Sequence, residues 1–387
     1  MNDFQDNSEV VSSYQSYKAR VGKEKIPCYE PSIGAEELAL VTDVIKRNWL
    51  SEGKYTREFE SQLAAICQRK YAVCFSNATA ALISGMKSLG IKEGDEVIVP
   101  SFTHSADPNS IAVTGATPVF ADIDEETLCL SAKTIDVVKT SRTKAVLFVS
   151  AYGNIGDLNE IENYTKKNNL FFINDCAPAL FGTFKGKPIP AYGDFSVLSF
   201  FADKTITTGE GGMLLSDNLE LINEANIFKH DGRKERGVDT IERKGYNFRI
   251  TELQSAVGVA QLKKADFFVK RKKEILNMYK EKLAGVSDAK MFEFNPEGDI
   301  VPHRIVVFVP ESADLISHLS SCGIGARTMF MPMHSQPAYG AQKEFLSTQK
   351  IFSRGVCLPS APALSEQDIS FVCDSVKDFY KKKKKNQ

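Results

Sequence analysis

Apolar residues recur along this chain at two spacings. Short, nearly unbroken apolar runs at 71–75, 96–100, 118–120, 144–149, 170–175, 195–200 and 212–216 read as strands with both faces buried. Between them lie longer stretches with apolar residues at helical spacing, as in Leu38, Val41 and Ile45, or Phe59, Leu63 and Ala64. Strands roughly 20 to 27 residues apart with helices between them imply crossover units and a largely parallel sheet. The first of these strands runs directly into Ser76-Asn77-Ala78-Thr79, the start of a helix that ends near Gly90. Loops leaving such strands gather at one edge of the sheet, where α/β proteins place their sites.

After Gly245-Tyr246-Asn247-Phe248-Arg249, one long helix is expected from Thr251 to about Leu283, stopped by Gly285. A strand at 304–309 and helices at 313–320 and 366–379 follow. The organisation expected is a lead-in over 1–25, a large α/β domain over 26–265, a smaller α+β domain over 266–380 and a basic tail over 381–387. With 43% of 387 residues hydrophobic, there is material for two cores.

Charge removes several classes of function. The 48 basic and 49 acidic residues leave a formal net charge of −1, which gives no global field to draw nucleic acid or an anionic membrane. Lys381 to Lys385 are the local exception and fit either a solvated, frayed end or an interaction tail. The start, Met1-Asn2-Asp3-Phe4, is polar, and no stretch reaches about 18 consecutive apolar residues, so a cytoplasmic protein without a membrane partner is expected. Eight cysteines show no Cys-x-x-Cys and five histidines no His-x-x-x-His, so no metal is expected. Gly209-Glu210-Gly211-Gly212 matches neither nucleotide-binding glycine motif, and a Gly-x-Ser-x-Gly elbow is absent.

Candidate chemistry centres on Lys204, set between the run Ser199-Phe200-Phe201 and that glycine cluster. Asp175, 29 residues upstream, closes another strand. An amine and a carboxylate on neighbouring strand ends suit pyridoxal 5'-phosphate, which needs the first for its imine and the second to keep its ring nitrogen protonated. Free N–H groups at the helix start, with the Thr79 hydroxyl, make a phosphate site that needs no lysine. Taken singly, each residue has a plainer reading. Lys204 fits a surface lysine, Asp175 a helix N-cap, Ser199 a partner for backbone and His104 a loop histidine rather than one stacked on a ring. Trp49, the only tryptophan, either packs in the core or lines a substrate cleft. Arg233, Lys234, Arg236, Arg243 and Lys244, with Arg327 and His334, are candidate cations for a diphosphate, or else the loop is simply solvated.

With these residues in hand, the chain resembles the DegT/DnrJ/EryC1/StrS sugar aminotransferases from about 26 to 380. The resemblance rests on Ser76-Asn77-Ala78-Thr79-Ala80-Ala81-Leu82, Asp95 to Thr103, Asp175, Ser199-Phe200-Phe201, Lys204 with Gly209-Glu210-Gly211-Gly212, Gly245 to Arg249 and Leu358-Pro359-Ser360, in the family's order. It implies the aspartate aminotransferase-like fold type I of pyridoxal-phosphate enzymes, a large domain with a mostly parallel mixed sheet plus a smaller α+β domain. It also implies that Lys204 forms the imine with the cofactor, Asp175 pairs with the pyridine nitrogen and His104 stacks on the ring. Ala78, Thr79 and Ser199 would hold the phosphate, and Asn247 would reach it from the partner subunit of a homodimer. Substrates implied are a nucleotide-linked 3-keto or 4-keto sugar and glutamate, which leaves as 2-oxoglutarate, with Trp49, Arg249, Arg327 and His334 as substrate-binding candidates. A related dehydratase branch has histidine where Lys204 stands, so the lysine argues for amination. Two departures stand out: Pro178 replaces a side chain able to hydrogen-bond, and an aromatic-rich strand is replaced by Val301-Pro302-His303-Arg304.

Overall fold

The computed structural model describes residues 25–235, 237–340 and 344–385. Residues 1–24 of the lead-in expected over 1–25, and Arg236, lie outside the described residues. The strands, in chain order, begin with β1 (Tyr71–Phe75), β2 (Glu96–Pro100), β3 (Thr117–Ala121), β4 (Thr143–Val149) and β5 (Phe171–Asp175). A short ribbon of β6 (Thr183–Phe184) and β7 (Lys187–Pro188) precedes β8 (Phe195–Ser199) and β9 (Gly212–Ser216). Seven of these form one sheet in the order β1-β9-β8-β5-β4-β2-β3. All run parallel except β9, which is antiparallel to both of its neighbours.

The apolar runs predict this sheet because side chains in a strand alternate between faces. Ile98, Val146, Phe148, Phe172 and Leu198 belong to one core, and Val97, Val99, Leu147, Ile173 and Val197 to the other. Each large side chain buried this way contributes about 1.5–3 kcal/mol. A one-residue slip of any strand would exchange its two sets of side chains between cores already packed for them, so register is firmly specified.

The C-terminal part adds β10 (Lys290–Met291), β11 (Gly298–Asp299), β12 (Ile305–Phe308), β13 (Arg327–Thr328) and β14 (Gly355–Leu358). Four of them form an antiparallel sheet, β10-β12-β14-β13, while β11 joins β6 and β7. Its core draws on Tyr279, Leu315, Leu319, Val372 and Val376, and also on Ile26 from the far end of the chain. Sequence assigned Ile26 to the larger domain. Backbone bonds to Gly323 and from Gly325, at 3.1 and 2.8 Å, tie it to the smaller sheet instead.

Two further expectations change. The single helix from Thr251 is two helices, Glu252–Lys263 and Ala265–Leu283, which meet at Lys264 with φ −102° and ψ 5°. Lys264 and Gln261 both bind the buried Glu37, at 2.5 and 2.8 Å. These contacts anchor the junction, and the second helix sends Ile275, Tyr279 and Leu283 into the other core. Nor is the lysine run a frayed end, because the last helix, Glu366–Lys385, continues through it. Lys381 pairs with Asp378 at 3.7 Å and Lys383 with Glu311, and cations at a helix C-terminus complement its dipole. Among the described residues no helix is long and apolar enough to cross a membrane.

Candidate active site

Parallel strands deliver their carboxyl ends to one edge, and Asp175, Ser199 and the turn carrying Lys204 all arrive there. The turn is fixed by backbone bonds from Lys204 to Phe201 (3.0 Å), Thr208 to Phe200 (2.9 Å) and Phe200 to Gly211 (2.9 Å). Below it the buried Phe200 ring packs on Phe59 with centroids 4.8 Å apart. Ser199 pairs with Gly212, whose other neighbour is Phe75. A Cβ on Gly212 would lie 2.3 Å from the Asn77 carbonyl carbon and 2.4 Å from the Ala78 nitrogen. Only glycine therefore lets this strand meet the start of helix Ala78–Ser88. Asn77 caps that helix by accepting from the Ala80 N–H at 2.9 Å, and the opening N–H groups of the helix have no intrahelical acceptor.

Electrostatics link the charged members. Burial lowers the pKa of the Lys204 ammonium, while Asp203 and Asp175 partly oppose the shift, so the amine loses its proton more readily than an exposed lysine. Asp203, 4.0 Å from the Lys204 Nζ, is bonded by the Arg304 guanidinium and faces His303 Nε2 at 3.8 Å. Burial alone would raise the Asp203 carboxyl, but His303, Lys204 and Arg304 outweigh it and hold it well below the usual carboxylate range. Asp175 is raised by burial, against the Ala177 N–H at 2.8 Å, Asp107, Lys204 and His104. Burial and Lys204 lower His104, so its ring is neutral near pH ~7. Its Nδ1 accepts from the Ala106 N–H at 3.1 Å, which leaves the ring proton on Nε2.

The remaining candidates sit at varying remove. His334 is buried, its Nδ1 2.5 Å from the Ser101 hydroxyl, so the chain after β13 docks just beyond β2. Arg327 and Arg304 lie over the same Tyr29 ring, at 5.6 and 4.9 Å, which ties Arg327 to the Asp203 pair through that ring. Arg249 is bound to Asp231 at 2.7 Å. Trp49 is 54% exposed, with its indole N–H 3.4 Å from the Glu52 carbonyl, and so is not in the core. Asn247 is exposed on a segment bridged to His230, and its neighbour Phe248 accepts from the Ser76 N–H at 2.8 Å. Of the loop cations, Arg243 pairs with Glu224 and Arg233 lies 3.9 Å from Asp239.

Four residues around Lys204 and its carboxylate neighbours were not singled out as site residues by sequence reasoning: Asp107, Asp203, His303 and Arg304. Asp203 adjoins Lys204 and was open to notice. His303 and Arg304 were visible only as a departure from the family's pattern. Burial of Asp107 had no local signal.

A lysine amine desolvated beside carboxylates, at the carboxyl edge of a mainly parallel sheet and next to a capped helix start, places the chain among the fold type I pyridoxal-phosphate enzymes. Comparison with known proteins narrows this. A family model described as the DegT/DnrJ/EryC1/StrS aminotransferase family matches residues 31–377. GDP-perosamine synthase of Escherichia coli O157:H7 is 37% identical over 369 residues, covering 92% of this chain and 99% of its own. GDP-perosamine synthase of Vibrio cholerae is 35% identical over 368 residues, with 92% and 99% covered. The solved structure of Spr1654 from Streptococcus pneumoniae, in its PMP form, superposes with a TM-score of 0.88 at 26% identity, over 92% of this chain and 100% of that one. This chain belongs to the DegT/DnrJ/EryC1/StrS aminotransferase family. It is a pyridoxal-phosphate-dependent nucleotide-sugar aminotransferase acting on small molecules.

The residues present fit that cofactor. They supply an amine for its aldehyde, a buried carboxylate for its ring nitrogen and, where a Cβ on Gly212 would block the approach, a helix start suited to its phosphate.

Proposed function

We propose that this enzyme moves the amino group of L-glutamate onto C4 of GDP-4-keto-6-deoxy-D-mannose, giving GDP-perosamine and 2-oxoglutarate. The choice of sugar and nucleotide leans on the names of the two relatives. The observation that carries amine transfer itself is the Lys204 amine, desolvated between Asp203 and Asp175.

Bound pyridoxal phosphate supplies an aldehyde able to take up an amine and a ring able to store an electron pair. The chain's own residues do the rest. Ala78, Thr79 and the Ser199 hydroxyl hold the phosphate, aided by Asn247 from the second subunit of a homodimer. Asp175 holds a negative charge against the ring nitrogen, and the His104 ring covers a face. With the cofactor bound, Lys204 Nζ would be the base that takes the proton from the donor's α-carbon and delivers it to the cofactor's former aldehyde carbon on the same face. Burial favours its uncharged form, which makes an electron pair available for this more readily than on an exposed lysine. Arg327, exposed above Tyr29, is the cation offered to the substrate diphosphate, with His334, bonded to Ser101, as a further candidate; Trp49 and Arg249 belong to the outer substrate region.

The test is to incubate the protein with pyridoxal phosphate, glutamate and GDP-, UDP- and dTDP-linked keto sugars, and to identify products by mass. An amino sugar from the GDP substrate, abolished by Lys204→Ala together with borohydride fixation of the cofactor, is the expected result. Amination of a UDP or dTDP sugar alone overturns the substrate. Release of a deoxy-keto sugar without glutamate consumption overturns the reaction in favour of dehydration.

A further inference from the structure

A carboxyl group lies next to Asp175 that nothing so far uses. Asp107, in the first turn of helix Ala106–Val113, is completely buried. One of its oxygens, Oδ2, accepts from the buried Thr103 hydroxyl. The other, Oδ1, is enclosed with no donor among the described residues. Yet Asp107 is in hydrogen-bonding contact with the side chain of Asp175, itself only 6% exposed. Two carboxyl groups shut away from water cannot both be ionised at such range, and their oxygens attract only with a proton between them.

We propose that Asp107 is a positioning residue for amine transfer: it holds the proton of this pair and donates it to Asp175, fixing that carboxylate for the cofactor's ring nitrogen. The inference rests on the role given to Asp175 above. Its environment decides which partner keeps the proton. Asp175 receives the Ala177 N–H at 2.8 Å and lies in the field of Lys204, both of which favour its charge. Asp107 has the Thr103 hydroxyl and a weaker influence from Lys204, while Tyr339, the other titratable group that feels its charge, gives its hydroxyl proton to Asn109. Burial, then Asp175, push the Asp107 carboxyl well above the ordinary range, and burial raises Asp175 too, so the pair does not carry two negative charges. An anion that accepts two fixed donors is held in one orientation, and its negative charge is directed at the third partner.

The experiment compares full-length wild type, Asp107→Asn and Asp107→Ala. Asparagine keeps a donor for Asp175 and an acceptor for Thr103, whereas alanine keeps neither. Infrared difference spectra between wild type and Asp107→Asn near pH ~7, where a free carboxyl group is ionised, are expected to show a protonated carboxyl band, shifted in heavy water and lost in the variant. Asp107→Ala is expected to lower kcat roughly ten- to a hundredfold, the effect of one hydrogen bond to a charged group. Asp107→Asn should recover to within a few-fold. No such band, or an asparagine variant as slow as the alanine one, overturns the inference even if amino sugar forms. Band and rescue on donor half-reaction kinetics, without amino-sugar product, would retain it and sink the proposed substrate.

Discussion

Arg304 and Asp203 form an ion pair with 6% and 13% of their side chains exposed, one residue from the Lys204 amine. Surface pairs contribute little, but removing one member of an enclosed pair strands the other's charge. Arg304→Met is therefore expected to cost about 3–5 kcal/mol in urea unfolding, and the double variant with Asp203→Asn to recover much of it. Recovery of nothing would mean that the two residues are not coupled. The pH dependence has a definite sign. The folded Asp203 carboxyl titrates well below its unfolded value, so its contribution is complete above about pH 3.9 and is lost as pH falls through the folded value. Stability of the wild type should thus fall more steeply in acid than that of Asp203→Asn. Parallel curves would remove Asp203 as a linked group.

At the scale of elements, the site depends on one crossing between the two sheets. After β4 the chain turns through Tyr152 and Gly153, at φ 56° and +90°, and the Tyr152 carbonyl accepts the His303 N–H at 3.0 Å. A Cβ on Gly153 would lie 2.6 Å from the Val301 carbonyl oxygen and 3.1 Å from that of Pro178. This close approach brings His303 and Arg304 to Asp203, and Pro178 is part of the wall. Gly153→Ala is expected to destabilise by roughly 1–3 kcal/mol beyond the backbone effect alone, through overpacking, and to lower turnover as well. Gly186→Ala is the control, since Gly186 shares a positive φ of 81° but has nothing within 4 Å of its added Cβ. Equal losses in thermal unfolding for the two variants would show that the crossing is not tightly packed.

At the scale of the molecule, Trp49 and Leu50 stand exposed where the chain meets the start of helix Glu252–Lys263, and Tyr246 stands exposed next to Asn247. Ile45, Trp49, Leu50 and Tyr246 are 61, 54, 52 and 51% exposed, and Leu50 accepts from the Glu252 N–H at 2.9 Å. Such a patch beside the exposed Asn247 is what a two-fold interface with shared sites would cover. Co-expression of Lys204→Ala with Asn247→Ala checks it. If each site takes Asn247 from its partner, mixed dimers contain one intact site, and activity should return to roughly a quarter of wild type by random pairing. A mixture no more active than the sum of its parents would place Asn247 in its own subunit's site.

The sheet was legible in the sequence because strands buried on both faces must be apolar throughout, and the runs ending at Phe75, Pro100, Val149 and Asp175 stop where the strands stop. Lys204, Asp175 and the opening of helix Ala78–Ser88 were legible too, since each is tied to a strand end by short local geometry. Sequence could not reveal that Lys264 breaks a continuous helical pattern, that Ile26 joins a core some 300 residues away along the chain, or that His303 and Arg304 converge on Asp203 while Asp107 is shut in beside Asp175. Those outcomes depend on which distant groups share a dry interior, and burial, unlike periodicity, is a property of the whole packed chain.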